Sequence, residues 1–177
     1  MGDLTLALDI GGTKIAAGLV SPDGTLLTSR SLRTPRGDAE EVWAVVEQLA
    51  DELGGEATGI GIASAGPVDL PAGTVAPINI PAWTGGFPLR DRVHKLLPAL
   101  PVRMAGDGVC MALGEHRRGA GQGAQYMLGM VISTGVGGGL VFDGKPVFGR
   151  TGNAGHVGHV VVEPGGPLCA CGARGCV

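Results

Sequence analysis

The chain has 177 residues, 44% hydrophobic and 16% charged, with a formal net charge of −3. That length suits one domain, or one domain plus part of a second, with enough apolar material for a sizeable core. The mild acidity and the lack of a basic cluster argue against nucleic acid or a membrane surface as partner.

The 34 glycines and 12 prolines fall at turns and motif loops between patterned apolar runs, not in a low-complexity tract. The opening MGDLTLALDIGG has no basic region of the kind that starts a secretory signal, and it breaks at Gly-Gly after a short apolar run. No apolar stretch approaches the ~20 residues of a membrane span. The expectation is a cytoplasmic protein, whose cysteines (Cys110, Cys169, Cys171 and Cys176) are thiols or metal ligands rather than disulfides.

In chain order, residues 4–9 alternate and run into Gly11-Gly12, which predicts a strand and a tight turn. Residues 15–20 return as a second strand, SPDG (21–24) turns the chain, and 25–33 form a third strand. Asp38 reads as the N-cap of a helix in which Glu40, Glu41, Val42, Val45, Val46 and Leu49 recur with helical spacing up to Gly54-Gly55. Residues 58–63 form a short buried strand. The order β-β-β-α-β argues for a mixed sheet in an α/β domain.

The stretch 64–88 carries Pro67, Pro71, Pro77, Pro81 and Pro88 and reads as a long loop, functional or connecting. Residues 89–97 predict a helix, 102–105 a strand and 107–118 a helix. GAGQGAQ (119–125) is the best linker, giving an N-terminal domain of 1–118 and a second domain, 119–177, that stops unfinished. In the second domain a strand at 126–132, the loop STGVGGG (133–139), a strand at 140–142, the turn DGKP and a strand at 147–148 follow one another.

Four motifs carry chemistry. LDIGGTK (8–14) ends a strand with an Asp, two glycines, a hydroxyl and a lysine. Glycine frees backbone amides to face a phosphate, and Asp9 can position Mg²⁺; the bland alternative is an ordinary hairpin turn. STGVGGG is a second glycine-rich turn, and two such turns in one small protein suggest a phosphate held between two lobes. Neither has the dinucleotide-binding pattern, and GLVFDGKP fails as a P-loop because Pro146 takes the Ser/Thr position.

Asp107, where a strand gives way to a helix, is either a helix cap or a general base able to take a proton from a substrate hydroxyl. His159, Cys169, Cys171 and Cys176 supply the Cys₃His inventory of a closed tetrahedral zinc site, or are a coincidence of four groups. Cys110 reads as core, and His94 and His116 as solvent-facing. His156 lies outside the already complete ligand set.

Taken together, DIGGTK, SAGPVD, INIPAW, GDGVCMALGE, STGVGGGLV, DGKPVFGRTGNAG and the GH…CACGARGC cluster resemble, in order, the motifs of the ROK family of sugar kinases and sugar-responsive repressors. The resemblance implies an α/β fold of actin-like, ribonuclease-H-like lobes, the first complete and the second incomplete, with ATP and a sugar in the cleft. It assigns Asp9, Gly11, Gly12, Thr13 and Lys14 to one phosphate loop, and Thr134, Gly135 and Gly137 to the other.

It makes Asp107 the catalytic base, and Asn79, Asp107, His156 and His159 sugar contacts. His159 also joins Cys169, Cys171 and Cys176 on a structural zinc. The implied reaction is ATP- and Mg²⁺-dependent phosphorylation of a hexose at its 6-hydroxyl, glucose first and an N-acetylated hexosamine as alternative, with a homodimer left open. A non-catalytic sugar-binding or regulatory protein is the other alternative. A repressor would carry a DNA-binding helix-turn-helix ahead of the first strand, where the chain offers no room.

Two substitutions stand out against the family. His156 takes a position usually held by Glu, and Gly106 one usually held by Asn. In the family a Glu normally stands two residues after the last cysteine, and the sequence ends at Val177.

Overall fold

The computed structural model describes residues 2–133 and 135–177, and it divides into two units, the first ending at Ala105 and the second running from Gly106 to Val177. The first is built on the alternation of its opening strands. β1 (Leu4–Ile10) pairs antiparallel with β2 (Lys14–Val20), and β2 with β3 (Leu26–Arg33). Alternate side chains of a strand share a face, so Leu6, Leu8 and Ile10 of β1 and Ile15 and Ala17 of β2 enter one core.

Helix α1 (Ala39–Leu53) starts where Asp38 accepts hydrogen bonds from the backbone N–H groups of Glu40 and Glu41, both at 2.9 Å. Its buried stripe of Val42, Trp43, Val46, Leu49 and Ala50 covers that core. β4 (Ala57–Ser64) then lies parallel to β1 and adds Ile60 and Ile62.

The proline-rich stretch is more ordered than a loop. It folds as a small hairpin, β5 (Val68–Asp69) with β6 (Thr74–Val75), followed by a 3₁₀ turn at Pro81–Trp83. Ile80, Trp83 and Phe87 are buried, and the Trp83 and Phe87 rings stack 4.0 Å apart. The Trp83 indole N–H donates to the Ala39 carbonyl at 3.2 Å, tying the stretch to the start of α1. Apolar anchors between the prolines supply burial that proline spacing does not reveal.

Helix α2 (Leu89–Leu96) and strand β7 (Val102–Gly106) complete the unit, whose sheet runs β3-β2-β1-β4-β7.

In the second unit, helix α3 (Asp107–Arg118) packs on an antiparallel sheet of β8 (Tyr126–Ile132), β9 (Val136–Phe142) and β10 (Lys145–Val147), ordered β10-β9-β8. The sequence places the boundary after Arg118; the chain divides earlier, between Ala105 and Gly106, because α3 belongs with β8 and β9. Glycines make that packing close. A Cβ at Gly108 would come within 2.5 Å of the Gly138 carbonyl oxygen, and one at Gly139 within 2.6 Å of the Gly108 carbonyl oxygen.

Much of the STGVGGG segment therefore differs from the expected loop. Residues 136–139 are strand, and Gly138 and Gly139 serve contact between helix and sheet. Asp143-Gly144 turns β9 into β10 with both residues at positive φ (49° and 73°), the paired left-handed backbone of a tight hairpin. His116 is half-buried rather than solvent-facing, with Nε2 2.9 Å from the Ala124 carbonyl oxygen. Among the described residues, no helix is long and apolar enough to cross a membrane.

Candidate functional site

In the first unit, β1 leaves the sheet into a turn that is tied from behind. The Gly11 N–H donates to the Lys14 carbonyl at 3.0 Å, closing the turn. Thr34, at the end of β3 and buried, donates its hydroxyl to the Gly11 carbonyl at 2.6 Å, while its backbone N–H donates to the Thr13 carbonyl at 3.1 Å. The side chains of Thr13 and Lys14 are exposed beyond this anchor. Asp9 is also exposed, one residue before buried Ile10 and in register with Ala16 and Ala63.

Gly12 has a reason of its own. A Cβ there would come within 2.5 Å of the Asn79 carbonyl oxygen and 2.7 Å of the Asn79 Cβ. The structure thus brings DIGGTK and NIPAW together, with Asn79 itself exposed and held between buried Pro77 and Ile80. The role of Thr34 was not expected from the sequence; a Thr closing β3 just before Pro35 was the only signal, and it is a weak one.

In the second unit, Asp107 opens α3. The N-cap is Gly106, and the Asp107 carboxylate accepts from the Gly108 N–H at 2.7 Å while the residue stays exposed. Gly106 takes the N-cap position, and Asp107 satisfies one first-turn N–H from the next position, so the carboxylate does part of a cap's work as well as being exposed.

His156 comes close to this helix start. Its Nε2 lies 3.8 Å from where a Cβ at Gly106 would sit. Burial pushes the His156 imidazole below its ordinary pKa; the Asp107 carboxylate opposes that shift and His159 adds to it. The rings of His156 and His159 are 6.3 Å apart, on the two sides of a 3₁₀ turn at Val157–His159. Gly106, Asp107, His156 and His159 therefore share one neighbourhood.

Thr134 lies outside the described residues. A Cβ at Gly135 or Gly137 would meet none of the described atoms within 4 Å, so packing among the described residues does not require glycine there. Such positions suit close approach by something other than protein.

His159, Cys169, Cys171 and Cys176 converge, their donor atoms all within 4.8 Å of one another. Cys169 Sγ is 3.6 Å from His159 Nδ1, and Cys171 Sγ is 3.7 Å from Cys176 Sγ. A zinc tetrahedron with Zn–S near ~2.3 Å and Zn–N near ~2.0 Å has S···S edges of ~3.8 Å and N···S edges of ~3.5 Å. The spacing of these groups fits that ion.

Backbone geometry builds the cluster. The Gly172 N–H donates to the Cys169 carbonyl at 2.9 Å, with Gly172 at φ 91°, and Cys169 N–H donates to the Ala173 carbonyl at 2.8 Å. The Cys171 backbone N–H, the Cys171 thiol and His159 draw the Cys169 thiol down to about 7, whereas burial and the adjacent thiols push Cys176 up to about 11. Thiol ligands must shed their protons to bind a cation, so an ion bound here would displace the proton that Cys176 otherwise keeps.

The chain matches the model of the ROK family over residues 5–177. It is 40% identical over 175 residues to the N-acetylmannosamine kinase of Yersinia pseudotuberculosis, an alignment covering 97% of this chain and 59% of that protein. A ROK hexokinase from Thermus thermophilus superposes with a TM-score of 0.82 at 38% identity, over 98% of this chain and 58% of the other. A ROK family glucokinase from Streptomyces griseus, solved with glucose and AMPPNP, gives the same TM-score at 39% identity, over 98% and 55%. The expected α/β, actin-like fold is the fold of these solved relatives. The chain spans little more than half the length of the proteins it matches.

Proposed function

The chain belongs to the ROK family, and from that premise we propose that the protein transfers the γ-phosphoryl group of ATP to the 6-hydroxyl of a hexose. The observation that carries this reading is the exposed Asp107 carboxylate at the start of α3, with His156 and His159 gathered beside it.

Asp107 takes the proton of the sugar hydroxyl as that oxygen attacks the γ-phosphorus in line. Its bond from the Gly108 N–H fixes one carboxylate oxygen and leaves the other for the substrate. The turn Gly11–Lys14, anchored by Thr34, and the segment Thr134–Gly137 hold phosphate oxygens, with Asp9 on the accompanying Mg²⁺. That ion supplies positive charge to the transferring group. Asn79, His156 and His159 hold sugar hydroxyls. His159, Cys169, Cys171 and Cys176 hold a structural zinc, which stiffens the segment presenting His159.

His156 favours a 2-acetamido hexose as acceptor, N-acetylmannosamine first. A carboxylate only accepts hydrogen bonds, whereas an imidazole also donates one and can meet the acetamide carbonyl. The 40% identical N-acetylmannosamine kinase supports this choice. Glucose is the second reading, favoured by the glucokinase solved with that sugar. A coupled ADP-release assay on the full-length protein, run across both sugars and other hexoses, tests the proposal; turnover of none of them rejects it.

A further inference from the structure

Gly158 is buried between His156 and His159, and its φ is outside the left-handed region. Conformation therefore does not require glycine at this position. Close approach does: a Cβ on residue 158 would overlap the carbonyl oxygen of Val136 and come within 3.0 Å of the Val136 Cβ. Val136 is the first residue of β9 and directly follows Gly135.

Two neighbours of Gly158 fit the same strand. Val157 Cγ2 lies 3.1 Å from where a Gly138 Cβ would be, and a Cβ on Gly155 would meet the Gly139 Cα at 2.9 Å. The turn is braced internally by Val157 N–H to the Gly155 carbonyl at 2.7 Å and His159 N–H to the His156 carbonyl at 3.1 Å. A displacement at the start of β9 would thus carry both histidines with it.

Resting on the kinase reading above, we propose that Gly158 is a positioning residue: it seats the histidine turn on Val136, so that the sugar-side histidines and the second glycine-rich segment hold their places as one piece. The seat makes nucleotide affinity depend on a residue that touches no nucleotide. Tight interiors deform little, so a methyl group inserted here moves one partner or the other.

The test uses the full-length protein with Gly158→Ala, the milder Val157→Ala, and Gly114→Ala on the open face of α3 as control. Nucleotide affinity is measured by calorimetry with a non-hydrolysable ATP analogue in the absence of sugar. Sugar affinity, zinc content and melting temperature are measured in parallel. The expected result for Gly158→Ala is retained zinc with both affinities weakened on the order of tenfold, about 1.4 kcal/mol each. Val157→Ala should weaken both by a smaller factor, and Gly114→Ala neither.

A folded Gly158→Ala that loses sugar affinity alone, or loses its zinc, overturns the proposal. Where Gly158→Ala does not fold, Val157→Ala decides by the same two-sided criterion. A wild-type protein that binds the analogue but phosphorylates no hexose overturns the kinase reading alone, and the nucleotide arm still tests the seat. Wild-type protein that binds neither overturns both.

Discussion

His156 stands beside Gly106, its Nε2 3.8 Å from the point a Cβ at position 106 would occupy. The two residues act as a pair, since the missing side chain at one leaves room next to the imidazole of the other. Replacing His156 by Glu removes the only donor this side chain offers an acetamide. His156→Glu should lower kcat/KM for N-acetylmannosamine by about tenfold or more, the scale of one hydrogen bond to a substrate, while glucose loses less or gains. Comparing kcat/KM for the two sugars in wild type and variant checks this; an unchanged ratio counts against His156 as a specificity residue.

Zinc removal tests the cluster of His159, Cys169, Cys171 and Cys176. The full-length protein should release one equivalent of zinc to a chromogenic chelator, and Cys171→Ser should bind far less. With His159 proposed as both zinc ligand and sugar contact, loss of the ion should raise the sugar KM as well as lower the melting temperature. Full sugar affinity in zinc-free protein would separate the ion from the site.

Glu40 and Arg92 link α1 to α2 through two hydrogen bonds, at 2.9 and 2.6 Å. Arg92 also lies over the rings of Trp43 at 4.7 Å and Phe87 at 5.4 Å. The bond from Arg92 holds the Glu40 carboxyl below its ordinary pKa. A depressed carboxyl stabilises the fold above its ordinary range and loses that contribution as pH falls through its folded value. The stability difference between wild type and Glu40→Gln should therefore shrink on acidification in urea titrations. Arg92→Ala should cost more than Glu40→Gln at every pH, because it also uncovers the two rings.

One face of the second sheet is apolar and uncovered in the 177-residue chain. Tyr126, Leu128, Met130 and Ile132 alternate along β8, an edge strand, and all are exposed, Ile132 at 77%. Unpaired apolar edges recruit other chains. The 177-residue chain should self-associate in light scattering, and Leu128→Lys with Ile132→Lys should reduce that association. A monodisperse wild-type chain would contradict this expectation.

Local pattern made part of this molecule legible. The alternation of Leu6, Leu8 and Ile10 declares β1, Asp38 declares the start of α1, and the spacing of His159, Cys169, Cys171 and Cys176 points to four donor groups that the fold brings together. What stayed hidden depends on contacts between residues far apart in the chain. Gly12 against Asn79, Thr34 bonding the Gly11 carbonyl, and Gly158 against Val136 have no periodicity to betray them. The boundary was misplaced for the same reason: GAGQGAQ looks like a linker locally, yet only packing shows that α3 belongs with β9. The proline run misled in the other direction, since its turns hide Trp83 and Phe87.

Asp107 is proposed as the base of a sugar kinase, and Asp107→Asn in the full-length protein probes that role. An amide keeps the shape but cannot take the proton, and general-base catalysis is worth about 10²–10⁴-fold. In that variant kcat for the preferred hexose should fall by that factor while sugar and nucleotide still bind with near wild-type affinity. Turnover by Asp107→Asn within a few-fold of wild type would contradict it.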